Sequence, residues 1–208
     1  SISTFCAYIK NTLSEQNIEK AHFIGNSLGA WIIQAFAVKH EDFILTLTLL
    51  DGGHYFLGEI QEHQDETLLR GVENWEDIKN AVHDFVTSIP NLQAYGYKQF
   101  ETYMQNNYIK LSDGYAHHFN EKHYNELSKE LVTNNYCLKG SSFPILVLLA
   151  GGMNNSYSVE HAKMYAKVNQ HVEIKIIENG FHYLPLTNTK EVYELLRSFL
   201  STKKEPSN

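Results

Sequence analysis

Apolar side chains at Ile2, Phe5, Cys6, Ile9 and Leu13 recur near i, i+3, i+4, i+7 and i+11, which predicts an amphipathic helix at the start of the chain. After a polar stretch, Ala21-His22-Phe23-Ile24-Gly25 reads as a short buried strand, and Leu28 to Lys39, rich in Ala, Ile and Trp, as a helix. Phe43 to Leu50 is apolar on both faces, as a parallel strand covered by helices must be, and stops at Asp51-Gly52-Gly53. The next such run is Pro144 to Ala150. A helix over about Val159 to Val168 follows, then a strand over Val172 to Glu178. Val192, Leu195, Leu196, Phe199 and Leu200 mark a last amphipathic helix.

Strands alternating with helices predict an α/β fold built on a parallel, doubly wound sheet of about four strands. The alternation is interrupted over residues 54–142, which read mainly as helices: Trp75 to Ser88, Leu92 to Ile109 and Glu121 to Thr133. We read this segment as an inserted helical cap on a core formed by residues 1–53 and 143–208. Its many Tyr and Phe side chains serve either to line a pocket or as the cap's own core.

Composition narrows the partners. At 208 residues the chain has room for one domain with a sizeable core. A net charge of -7 argues against nucleic acid or anionic membrane as a partner, since both require a basic face. The longest apolar runs fall well short of the roughly 18 residues that suggest a membrane span. Two distant cysteines, Cys6 and Cys137, fit reduced thiols and a cytoplasmic location better than a disulfide scaffold.

The chemistry centres on Gly25-Asn26-Ser27-Leu28-Gly29. In a G-x-S-x-G pattern the serine sits on a strained turn between strand and helix, with small neighbours that let the backbones approach and leave the hydroxyl exposed. Here a predicted strand ends at the motif and a predicted helix begins there, which makes Ser27 a candidate nucleophile. The Leu28 N–H, at the head of that helix, is a natural oxyanion donor. The alternative is a turn in which Ser27 only caps a helix.

A serine nucleophile needs a base. Of 11 histidines, His182 follows the last strand, on a loop at the same end of a parallel sheet as the Ser27 turn. Asn26, beside Ser27, and His54, past Asp51, are weaker candidates for touching substrate; a plain loop histidine is the competing reading of His54. His117, His118 and His123 match no helical metal-ligand spacing, so neither metal nor cofactor is expected.

The GNSLGA elbow, the Asp51-Gly52-Gly53 strand end, the helical insertion, the LLLAGG strand end and the late GFHYLP loop resemble, in content and order, the α/β-hydrolase superfamily. That resemblance implies a serine hydrolase of carboxylesterase type, acting on a small acyl substrate through an acyl-enzyme. In most of that family an aspartate follows the LLLAG-type strand, where this chain has Asn154. An amide cannot stabilise imidazolium, so Asp51, a position some members use, is the better acid and Asn154 the alternative. The resemblance begins partway through the family's fold. The strand beside Ala21 to Gly25 and the second oxyanion donor are then expected from a missing N-terminal half or a complementing chain. A catalytically silent ligand-binding protein, and a lactone, thioester or C–C hydrolase, are the alternatives on the same frame.

Overall fold

The structure, a computed structural model, describes residues 1–54, 73–89, 92, 96–118, 123, 126–127, 129–130, 138–152 and 156–202. Helix α1 (Ile2–Glu15) is capped by the Ser1 side chain, which accepts from the Thr4 N–H, and it buries Ile2, Cys6 and Leu13. Strand β1 (Ala21–Asn26) runs into α2 (Leu28–Lys39) with only Ser27 between them. Helix α2 buries Ala30, Trp31, Ile33, Gln34, Ala35, Phe36 and Ala37, nearly all of its circumference, which is why its sequence lacks a polar stripe. Strand β2 (Ile44–Leu50) follows.

Strands β5 (Ile145–Ala150) and β6 (Val172–Ile177) complete a four-stranded parallel sheet in the order β1-β2-β5-β6. The expected strands are thus present, in a partial α/β-hydrolase arrangement. Alternate residues of β2 and β5 supply two cores. Leu47, Leu49, Ile145, Val147 and Leu149 pack with residues of α1, α2 and α5 (Ser156–Val168). Leu50, Leu146, Leu148 and Ala150 pack on the opposite face with Val192 and Phe199 of the last helix, α7 (Thr189–Ser201). A short helix, α6 (Leu184–Thr187), precedes α7. Register aligns the carboxyl ends: Asn26 pairs with Leu50, Leu50 with Leu148, and Ala150 with Ile177. Residues just past each strand therefore share one rim.

β1 forms one edge of the described sheet. Ile24 is 46% exposed there.

The segment between β2 and β5 differs from the sequence reading. Helix α3 spans Trp75–Ser88, as expected, with Asn74 accepting from the Asp77 N–H and Ile78, Val82 and Val86 buried along one stripe. The long helix expected over Leu92 to Ile109 is instead a shorter α4 (Tyr97–Gln105), which begins after Gly96 at φ 139. Tyr108–Lys110 (β3) then pairs antiparallel with Tyr115–His117 (β4) through a bend at Ser112-Asp113, closed by the Leu111 N–H donating to the Gly114 carbonyl at 2.7 Å. Ile109 is 49% exposed, so its apparent helical periodicity reflects no buried face. The helix expected over Glu121 to Thr133 falls largely outside the described residues. A third cluster of Ile78, Val82, Val86, Ile89, Leu92 and Phe100 gives this segment its own core. No helix among the described residues is long and apolar enough to cross a membrane.

Candidate active site

Ser27 occupies the sharp turn from β1 into α2 at φ 51 and ψ -119, a backbone state that side-chain-bearing residues rarely adopt. Its neighbours enforce the turn. The Ser27 N–H donates to the Leu50 carbonyl at 2.9 Å, and the Ser27 carbonyl accepts from the Ala30 and Trp31 N–H groups at 3.0 and 3.3 Å. At Gly25 an added Cβ would lie 2.5 Å from the Gly29 carbonyl carbon and oxygen, so only glycine allows strand and helix to meet this closely. The Leu28 N–H heads α2, among the N–H groups that no carbonyl of the same helix can accept.

On the adjacent strand end, Asp51 also has a positive φ, 46. Its N–H donates to the Leu148 carbonyl at 2.8 Å, and its Oδ1 accepts from the Ala150 N–H at 3.0 Å. The carboxylate is thereby fixed against the end of β5. Gly52 behind it is pressed against the elbow: a Cβ there would sit 2.6 Å from the Ser27 carbonyl oxygen.

His182, on the loop between β6 and α6, joins the two. Its Nδ1 lies 2.7 Å from Asp51 Oδ2 and its Nε2 2.8 Å from Ser27 Oγ. A carboxylate only accepts, so Nδ1–H donates to Asp51 and Nε2 accepts from the Ser27 hydroxyl. The Asp51 side chain is 9% exposed, whereas His182 is 37% exposed and open towards solvent. Phe181 and Tyr183 pack against the third cluster, with Tyr183 tilted 4.9 Å from Phe100. Burial, then the nearby Tyr103, raises the Tyr183 phenol above its ordinary range. The histidine loop is also bonded through its backbone to the end of β5, the Gly152 N–H donating to the Gly180 carbonyl at 2.9 Å.

The two weaker candidates, His54 and Asn26, both engage protein groups. His54 is fully buried, with Nδ1 3.1 Å from the Gly52 carbonyl and Nε2 2.8 Å from Ser158 Oγ. Asn26 spends its amide nitrogen on two carbonyls, Leu50 at 2.8 Å and His182 at 3.2 Å, and so braces the strand end before Asp51 to the histidine loop. Asn154 lies outside the described residues. Among those residues no group of histidine, cysteine or acidic side chains is arranged to hold a metal ion. Ser158 carries no motif and was not legible in the sequence, whereas the aromatic flanks of His182 were visible there but had no assigned role.

Solved structures share this fold. An E-2-(acetamidomethylene)succinate hydrolase superposes with a TM-score of 0.77 at 12% identity, over 97% of this chain and 74% of that one. An esterase of a marine microorganism gives 0.70 at 15% identity, over 96% and 77%. Naproxen esterase (carboxylesterase NP) of Bacillus subtilis gives 0.62 at 18% identity, over 96% and 66%. The chain therefore has the α/β-hydrolase fold, over about three quarters of the length of the first two. No protein-family model and no curated protein sequence matches it.

Proposed function

We propose that the protein is a serine hydrolase of the carboxylesterase type, with Ser27 as nucleophile, His182 as general base and Asp51 as the acid. The observation that carries this reading is the unbroken hydrogen-bond chain from Ser27 Oγ through His182 to Asp51 Oδ2, at 2.8 and 2.7 Å, on a strained elbow. Structural neighbours with hydrolase and esterase names support the same reaction class.

Ser27 Oγ attacks the acyl carbon as His182 Nε2 takes the hydroxyl proton; Asp51 holds the imidazole in the required tautomer and stabilises the imidazolium. The Leu28 N–H donates to the oxyanion as it forms. His182 then returns its proton to the leaving alcohol, and water repeats the sequence to release the acid. Residues 54–142, acting as a cap, supply the substrate-facing wall where the third cluster meets Phe181 and Tyr183.

Turnover of p-nitrophenyl esters tests the reading. Ser27→Ala is expected to lower kcat by at least about 10⁴-fold with the thermal melt preserved. Serine-independent turnover, or none in the unaltered protein, contradicts it; ligand binding without turnover favours a catalytically silent binding protein.

A further inference from the structure

The loop that carries Asp51 is held from behind by a buried polar pair that the proposed reaction does not use. Residues 52–54 are buried, and Asp51 and Gly53 both have positive φ, at 46 and 74. A loop bent this way is secure only if its peptide groups have fixed partners. The Gly52 carbonyl has one in His54: a carbonyl only accepts, so Nδ1–H donates to it at 3.1 Å. Nε2 of the same ring then carries no proton and accepts from the Ser158 hydroxyl at 2.8 Å. Ser158 lies in α5, a helix packed against β5 and β6, and is 2% exposed. His161, one turn on and 6% exposed, also acts electrostatically on His54. Burial keeps the His54 imidazole below its ordinary range, which favours the neutral tautomer these two bonds require.

Gly52 itself touches the elbow, with room for no more than a hydrogen against the Ser27 backbone. Gly52 is bonded directly to Asp51 and packs on the Ser27 backbone, so the anchored Gly52 carbonyl adjoins both.

We propose that His54 and Ser158 form a positioning pair that sets the direction of the Asp51 carboxylate towards His182 by anchoring the Gly52 carbonyl to α5. The proposal rests on the assignment of Asp51 as the acid partner of His182. Neither residue touches substrate.

The test uses the full chain and three variants: His54→Leu, which keeps the bulk and loses both bonds; His54→Gln, which retains a donor and an acceptor; and Ser158→Ala, which removes one hydroxyl. The first readout is the far-downfield proton NMR signal of the His182 Nδ1–H bonded to Asp51, which needs no turnover. The second is kcat and KM on a p-nitrophenyl ester. We expect His54→Leu to broaden or shift the downfield signal and to lower kcat by up to about 100-fold with KM little changed. Ser158→Ala should do the same more weakly, and His54→Gln should restore part of both. If His54→Leu does not fold, Ser158→Ala carries the same comparison. An unchanged downfield signal in folded His54→Leu or Ser158→Ala overturns the positioning role. Absence of turnover in the unaltered protein, with that signal present, instead counts against the hydrolase reading and leaves the NMR comparison to decide this one.

Discussion

Ser27 holds a backbone conformation that costs of order 1–3 kcal/mol, and so does Asp51. Two of the three non-glycine residues with positive φ among those described thus stand at adjacent strand ends, facing one histidine. Strain of this kind persists only where surroundings over-determine it, and each residue is pinned by backbone bonds to the neighbouring strand. If Asp51 is the acid, Asp51→Asn should reduce kcat by about 10⁴-fold while the protein stays folded. A decrease of less than about tenfold would return the role to the Asn154 region.

His54 provides a second expectation at this scale. Its imidazole titrates below the ordinary 6.5 because it is buried. Between the two values the unfolded chain binds a proton that the folded chain does not, so stability is full above about pH 6.5 and is lost as pH falls below it. The urea midpoint should fall on acidification, this group contributing up to about 1.4 kcal/mol per pH unit. His54→Leu should flatten that slope without abolishing it, because burial also lowers His117 and His40. An identical slope in the variant would contradict the account. The sequence could offer Ser27, Asp51 and His182 because motif and strand ends mark them. It could not show which groups Asn26 and His54 engage, since the His182 carbonyl and the Ser158 hydroxyl come from residues far away in the chain.

At the scale of elements, the strand–turn–helix unit around the elbow depends unequally on its two glycines. Gly25→Ala would place a methyl 2.5 Å from the Gly29 carbonyl, a backbone group that cannot swing aside, and should cost about 1–3 kcal/mol. At Gly29 nothing lies within 4 Å of the added atom, and alanine is the better helix former by about 1 kcal/mol. Chemical denaturation of the two variants should therefore move in opposite directions; equal destabilisation would contradict this packing. The core strands and helices were legible because each is buried by a regular face, continuous for β2 and β5 and striped for α1 and α7. The β3–β4 hairpin was not, although Asp113-Gly114 is a turn signal. Its strands have three residues each, too short for alternation to compete with a helical reading of Leu92 to Ile109.

Across the whole molecule, three cores meet at one rim. The two sheet faces hold Ser27 and Asp51 at the ends of β1 and β2, while the third cluster grips His182 on both sides through Phe181 and Tyr183. Both the sheet and the segment between β2 and β5 therefore position the His182 loop. In the proposed hydrolase this convergence makes one serine hydroxyl nucleophilic. Its most direct test is labelling of the protein with a fluorophosphonate, followed by peptide mass spectrometry. A single adduct on Ser27 is expected, formed far more slowly in His182→Ala and absent in Ser27→Ala. An unlabelled Ser27, or labelling at the same rate without His182, would contradict it.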